Sequence, residues 1–201
     1  MRGQLLAAQV GGLDGVIVTH NHADHCHGID DLRRIAQIRG ARVPIYARSH
    51  VLDRLTARFN YIFKDGGFYS AVAEPVELGS EMPFGDANLR FVDQPHGGIT
   101  SLGISIEEGG RSAVYAIDFS DLTDDMRMLY ENSDVWIADC LTRRPHPTHA
   151  HLDAVLEWAR EMGIGALYLS HMNNSMDYRT LVSELPDWAA PAHDGLEIEL
   201  S

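Results

Sequence analysis

Hydrophobic and polar positions along this chain follow two periods, and the changes between them predict a succession of strands and helices. Short apolar runs and alternating segments predict strands over residues 14–19, 43–46, 75–78, 88–93, 101–107, 113–117, 134–138, 166–170 and 196–200. Apolar stripes at helical spacing predict helices over residues 28–38, 49–58, 121–130, 151–162 and 177–185. Strands interleaved with helices, several strands being antiparallel, predict an α/β domain with two sheets and helices outside them.

Local signals sharpen parts of this pattern. The turn sequence Glu108-Gly109-Gly110-Arg111 predicts a hairpin between two of the strands, and Gly40 is expected to end the first helix. Residues 60–73 carry aromatic side chains and two adjacent glycines without a clear period, which predicts a long loop of the kind that is often functional. The inward face of helix 28–38 is expected to contain Ile29, Leu32, Ile35, Ala36 and Ile38.

Composition narrows the class of protein. At 201 residues and 45% hydrophobic content, the chain is long enough for one domain with a sizeable core. Its net charge of −13, with Lys64 as the single lysine, argues against a broad nucleic-acid surface and leaves a small anionic substrate open. No apolar run reaches membrane-spanning length, and the start of the chain makes a poor signal peptide. Two cysteines, Cys26 and Cys140, form no disulfide framework, so a cytoplasmic location is expected.

A cluster of metal-ligand residues follows the first predicted strand. His20, His22, Asp24 and His25 lie within six positions, directly after the apolar run 16–18. Imidazole and carboxylate are the ligands that zinc prefers, with manganese and iron as competitors. On a strand-to-helix turn they would form two pairs, which suggests two metals. The alternative is a surface loop that happens to be rich in histidine.

Three more ligand candidates lie at the ends of later predicted strands. His96 follows strand 88–93, Asp118 follows strand 113–117, and His171 follows strand 166–170. Functional sites in α/β folds tend to lie at such sheet ends.

This series, His-x-His-x-Asp-His and then His, Asp and His after successive strands, resembles the metallo-β-lactamase fold. The resemblance runs from Leu13 to the end of the chain and implies a four-layer αβ/βα sandwich with a dinuclear site at one edge. It implies that Asp118 bridges two divalent metal ions, Mn²⁺ or Zn²⁺ with Fe²⁺ as a further option. The implied ligands of the first metal are His20, His22 and His96, and those of the second are Asp24, His25 and His171.

Further motifs narrow the branch of the family. His149-Ala150-His151 before helix 151–162 resembles the phosphodiesterase branch, in which a histidine at this place donates a proton to the leaving group. His149 fits that role best, and His146 and His151 stay as alternatives. The segments 28–33, 143–149 and 191–196 resemble the bacterial group related to phosphoribosyl 1,2-cyclic phosphate phosphodiesterases.

The resemblance therefore implies a dinuclear phosphodiesterase that acts on a small cyclic or nucleotide-like phosphodiester through a hydroxide bridging the metals. His149 and Asp24 form the expected catalytic set. A hydrolase of a thioester, lactone or lactam, a tRNA 3′-processing nuclease and a non-catalytic metal-binding remnant are the alternatives. Two further expectations concern Asp139, which either orients a histidine or is merely buried, and three arginines that either bind phosphate or are simply exposed: Arg33, Arg143 and Arg144.

The chain departs from the family pattern at its start. Only 19 residues precede His20, where the family normally has several strands, and residues 2–8 resemble the end of a helix. We therefore expect a single hydrolase domain over residues 1–201 that lacks its N-terminal strands, with truncation favoured over a natively short chain. Such an exposed edge favours association, so a homodimer is one expected state.

Overall fold

The computed structural model of the protein describes residues 1–200. Their chain contacts divide them into two compact units, one from Met1 to Gly79 and the other from Ser80 onward. Both units combine sheet and helix, which confirms the predicted α/β class. Among the described residues, no helix is both long and apolar enough to cross a membrane.

The first unit contains a parallel sheet in the order β1-β2-β3, with Val16 opposite Ile45 and Val43 opposite Ala73. Its strands are β1 (Val16–Ile17), β2 (Val43–Ala47) and β3 (Ala73–Glu77). Its helices are α1 (Arg2–Ala7), α2 (Ala23–Cys26), α3 (Leu32–Arg39), α4 (Ser49–Arg58) and α5 (Asn60–Phe63), with a 3₁₀ turn over His27–Asp31.

The core of the first unit forms between this sheet and its helices. Leu32 and Ile35 of α3 are buried together with Val43 and Ile45 of β2. Gly40 ends α3 in the left-handed conformation at φ 68°, as the sequence predicts. The prediction for Ile38 is wrong, because its side chain is 58% exposed at the last turn of the helix.

The second unit is built on a mixed sheet in the order β10-β9-β8-β7-β6-β5-β4. Its strands are β4 (Glu81–Phe84), β5 (Ala87–His96), β6 (Ile99–Glu108), β7 (Arg111–Ala116), β8 (Val135–Asp139), β9 (Ala166–Ser170) and β10 (Ala189–Pro191). The pairs from β4 to β7 are antiparallel and those from β7 to β10 are parallel. Glu108 pairs with Arg111 at the predicted hairpin.

Helices α6 (Asp124–Tyr130), α7 (Leu152–Glu161) and α8 (Tyr178–Glu184) complete the second unit. Trp136 at the centre of its core is fully buried and stacks on Phe119 with ring centroids 6.0 Å apart. Trp158 and Trp188 pack against the same core. Side chains from α7 close it, because Val155 and Ala159 are fully buried on its apolar stripe.

Three predictions about the elements differ from the structure. Residues 196–200 alternate apolar and acidic side chains but pair with no strand among the described residues, and β10 is the strand at that edge of the sheet. The strand prediction there is wrong. Strand β4 went unpredicted, since Pro83 interrupts a short segment that is mostly exposed. The predicted loop 60–73 begins with the short helix α5.

Candidate metal centre

The first unit contains a histidine cluster after β1. The chain stays extended past that strand, since the Val18 N–H donates to the Tyr46 carbonyl. His22 then caps α2, whose first turn carries Asp24 and His25. The His20 ring is fully buried, with its centroid 4.7 Å from that of His22 and 4.4 Å from that of His25.

Two features of this cluster suit metal binding: the distance between two ligand atoms, and a hydrogen bond to a histidine ring. The Asp24 Oδ2 and His25 Nε2 atoms are 3.3 Å apart, and two ligands of one tetrahedral zinc ion lie at about that separation when each is about 2.0–2.1 Å from the metal. The Thr19 hydroxyl lies 3.1 Å from Nδ1 of His20, so Nε2 is the ring nitrogen that would bind a metal.

In the second unit, the structure places His96, Asp118 and His171 at strand ends. His96 is the last residue of β5, Asp118 lies two residues beyond β7, and His171 directly follows β9. Asp118 and His171 are in the left-handed region, at φ 60° and 56°. That conformation is uncommon for residues other than glycine, and such positions concentrate at functional sites.

The Asp118 carboxylate directs its two oxygens at two different histidines. Its Oδ2 lies 3.6 Å from His96 Nε2, and its Oδ1 lies 3.2 Å from His171 Nδ1. The carboxylate side chain is only 2% exposed. A buried carboxylate between two imidazoles is a donor set that fits divalent cations, one at each oxygen.

A backbone carbonyl fixes the orientation of His96. The Nδ1 atom of its ring lies 2.8 Å from the Thr148 carbonyl oxygen, which only accepts, so Nδ1 carries the proton and Nε2 keeps its lone pair. Gly97 permits this approach, because a Cβ added there would lie 2.7 Å from Cγ2 of Thr148 at φ 60°. Sequence reasoning missed the role of Thr148, since a main-chain carbonyl leaves no signal in residue type.

His149 is held by a buried carboxylate. Its Nδ1 donates to Oδ2 of Asp139 at 2.9 Å and lies 3.5 Å from Oδ1 of Asp118. The Phe119 N–H donates to the same Asp139 oxygen at 3.2 Å. Burial raises the pKa of Asp139, and the hydrogen bond from His149 partly offsets that rise. Of the two expectations for Asp139, the geometry favours orientation of a histidine, although the residue is fully buried as well.

The two alternative proton donors lie elsewhere on the same segment. His146 is exposed, its ring centroid is 5.3 Å from that of His149, and its Nδ1 accepts from the Thr148 N–H. His151 is the N-cap residue of α7, and its buried Nδ1 has no hydrogen-bond partner among the described residues. His149 is therefore the one of the three that contacts both Asp139 and Asp118.

The remaining candidates lie outside these clusters. Arg143 forms an ion pair with Glu184 at 2.6 Å, and this contact explains its position without a bound phosphate. Cys26 is buried in the core of the first unit. Cys140 is fully buried in the second unit, where burial raises the pKa of its thiol to about 12. Neither thiol is a prepared nucleophile.

Comparison with known proteins decides the family. A family model described as "Beta-lactamase superfamily domain" matches residues 1–172, which is most of the chain. The chain belongs to the beta-lactamase superfamily. Members with the metallo-β-lactamase fold are metal-dependent hydrolases, and the predicted family and enzyme class are confirmed at that level.

Solved structures agree on the superfamily fold. A diphosphatase from the PhnP family is 30% identical, with a TM-score of 0.86, and the match covers 97% of this chain and 74% of that one. The protein YhfI from Bacillus subtilis is 23% identical at a TM-score of 0.75, over 92% and 76% of the two chains. Human tRNase Z, short form, is 17% identical at the same TM-score of 0.75, over 100% and 85% of the two chains. The last two show the fold alone.

One curated relative has a different name. An octanoyltransferase from Porphyromonas gingivalis is 28% identical over 203 residues. The match covers 98% of this chain and 40% of that protein. The chain therefore spans about two fifths of the length of the curated relative that it matches.

Proposed function

We propose that this superfamily member is a dinuclear metal-dependent phosphodiesterase for a small cyclic or nucleotide-like substrate. The observation that carries the proposal is the Asp118 carboxylate, whose separate oxygens face His96 and His171. A carboxylate placed in this way suits a bridge between two cations. The first cation would be held by His20, His22 and His96, and the second by Asp24, His25 and His171.

Zinc and manganese are the proposed metals, with iron as a third option. When bound, the two cations would lower the pKa of a water and offset charge that builds up on the phosphoryl oxygens. Asp24 stays in the proposed catalytic set as a ligand in the first turn of α2.

His149 is the proposed general acid. Its Nδ1 is bound to Asp139, and Nε2 is the nitrogen that we assign to protonate a departing alkoxide. The Asp139 carboxylate holds the ring in one orientation and stabilises its protonated form, as a buried carboxylate does for a catalytic histidine.

Phosphorus chemistry is favoured by the 30% identical relative, which is named a diphosphatase. A small substrate is favoured over RNA by the net charge of −13, because RNA binding requires a basic surface. A second candidate, hydrolysis of an acyl ester or thioester, has one supporting observation, the 28% identical octanoyltransferase.

A substrate panel tests the proposal. Full-length protein is loaded with Zn²⁺ or Mn²⁺ and assayed on 1,2-cyclic ribose phosphate, 2′,3′- and 3′,5′-cyclic nucleotides, dinucleoside diphosphates, an octanoyl thioester and a lactone. We expect turnover of a phosphodiester to exceed that of both acyl substrates. Faster acyl hydrolysis would reverse the assignment.

Asp118→Asn tests the bridge without removing the backbone preference, because asparagine also tolerates the left-handed conformation at this position. The substitution removes the negative charge, so we expect the variant to retain fewer metal ions per chain and to lose most activity. Metal content by mass spectrometry and melting of the metal-free proteins are the measurements. Retention of two ions per chain at full affinity would contradict the bridging role.

A further inference from the structure

A cleft in the first unit lies beside the loop that follows α5. It has a volume of about 410 Å³ and is lined by Arg33, Tyr61, Lys64, Gly66 and Tyr69. A second cleft of about 520 Å³ shares Arg33 and Tyr69 with the first and includes Phe68. These volumes are in the range of small-molecule sites.

The loop that forms the cleft is fixed by its own hydrogen bonds. Gly66 and Tyr69 exchange two backbone hydrogen bonds, at 2.9 and 3.0 Å. The Asp65 carboxylate accepts from the Ala71 N–H at 2.8 Å and pairs with Arg42 at 2.7 Å. The hydrogen bond from Ala71 lowers the pKa of Asp65. The loop therefore presents a defined surface.

This fixed loop directs aromatic rings away from the core. Phe68 is fully exposed and Tyr69 is 75% exposed. Tyr61 is half exposed, and its hydroxyl donates to Asp30 at 2.7 Å, which fixes the ring at the edge of the cleft. Aromatic rings exposed together on an ordered turn are typical of a binding surface.

The charge of the cleft favours an anion. Across residues 1–200, the side chains of Arg33 and Lys64 form no hydrogen bond or ion pair. Lys64 is the single lysine in a chain with 29 acidic residues. Two carboxylates lie close by and already have partners: Asp30 accepts the Tyr61 hydroxyl, and Asp65 pairs with Arg42.

From these features we propose that the cleft binds a nucleoside monophosphate, separately from the hydrolytic centre. Arg33 and Lys64 would bind the phosphate, since guanidinium and ammonium groups are the usual phosphate donors. Tyr69 and the edge of Tyr61 would contact the base, because aromatic side chains stack on bases without regard to sequence. The acidity of the whole chain restricts the ligand to a mononucleotide rather than a polymer.

Titration calorimetry of the full-length protein with AMP tests this site. Arg33→Gln and Lys64→Gln should each raise the Kd about tenfold, the effect of losing one hydrogen bond to a charged group. Arg34→Gln is the matched control, because Arg34 is the neighbouring exposed arginine on α3 and bonds to Gln37. It should change the Kd less than about twofold.

The aromatic contribution is tested separately. Tyr69→Leu should weaken AMP binding, and ribose 5-phosphate should bind more weakly than AMP to the unmodified protein. His149→Gln, in the proposed hydrolytic centre, should leave the AMP affinity unchanged. Absence of saturable AMP binding, equal Kd values for the Arg33 and Arg34 variants, or loss of binding in His149→Gln would overturn the proposal. Unchanged far-UV circular dichroism of each variant shows that it has folded.

Discussion

Individual hydrogen bonds in the second unit decide which nitrogen of each histidine is available for chemistry. The Thr148 carbonyl accepts a hydrogen bond from Nδ1 of His96, and Nε2 of the same ring faces Asp118. The Asp139 carboxylate accepts a hydrogen bond from Nδ1 of His149. The proposed ligand and the proposed acid thus have their ring orientations fixed by neighbours that would not touch the substrate.

His149→Gln is therefore expected to lower kcat by about 10²–10⁴-fold, the usual contribution of general acid catalysis. The loss should be large for substrates with an alkoxide leaving group and small for p-nitrophenyl esters, because p-nitrophenolate departs without a proton. Steady-state kinetics on both substrates, with metal content measured on the same samples, check this expectation.

His146→Gln is the matched control, because His146 is exposed on the same segment. It should stay close to the unmodified enzyme on both substrates. Loss of bound metal in the His149 variant would identify that residue as a ligand instead.

At the scale of elements, the turn after β5 and the segment before α7 fit closely against each other. Gly97 lies against Thr148, with φ at 60° and room for no Cβ. Gly85 has nearly the same φ, 62°, but faces open space. Alanine substitutions at these two glycines therefore separate the cost of backbone strain from the cost of a steric clash.

Gly97→Ala is expected to cost more stability than Gly85→Ala, for which only the left-handed strain of about 1 kcal/mol applies. The additional clash should also displace the Thr148 carbonyl from His96 and weaken metal affinity by about 10–100-fold. Urea unfolding and metal titration measure the two effects.

Thr148→Ser removes the methyl group that a Cβ at position 97 would meet. In the Gly97→Ala background it should restore part of both losses. Equal destabilisation by Gly85→Ala and Gly97→Ala would show that the close approach has no energetic role.

Another element-scale contact joins β7 to the start of β8. The Asp134 carboxylate accepts from the Ser112 N–H at 2.7 Å and pairs with Arg111 at 3.0 Å. The hydrogen bond from Ser112 is the main cause of its lowered pKa, and the hydrogen bond from Arg111 adds to it. A lowered folded-state pKa means that this stabilisation is complete above the ordinary value of 3.8 and is lost as pH falls through the folded-state value.

Asp134→Asn should therefore destabilise the protein at pH 7, and the difference from the unmodified protein should shrink below pH 3.8. Urea midpoints measured across the acid range give this difference directly. A difference that stays constant with pH would mean that the carboxylate charge is not involved.

The sequence predicts most of these elements because their signals are local. The hairpin at Glu108 and Arg111 and the helix end at Gly40 follow from turn chemistry and are confirmed. The prediction of a strand over residues 196–200 failed for a non-local reason, since alternation does not show whether another strand pairs with the segment, and β9 pairs with β10 instead. In the candidate centre, residue types indicate His96 and Asp118, but not that a carbonyl and a glycine orient the former.

At the scale of the whole molecule, the superfamily and its fold follow from the sequence and are confirmed, whereas a single domain over residues 1–201 stays a prediction. The seven-ligand set and a homodimer also stay predictions. These properties depend on arrangements between distant segments, which periodicity and residue type do not specify.

The positions of the tryptophans allow the prediction of a single domain to be tested by spectroscopy. Trp136, Trp158 and Trp188 all belong to the second unit, so tryptophan emission follows the unfolding of that unit alone. Far-UV circular dichroism follows helices and strands in both units. We expect the two urea transitions to coincide, as they do for one cooperative domain. A dichroism change that precedes any change in emission would mean that residues 1–79 unfold as a domain of their own.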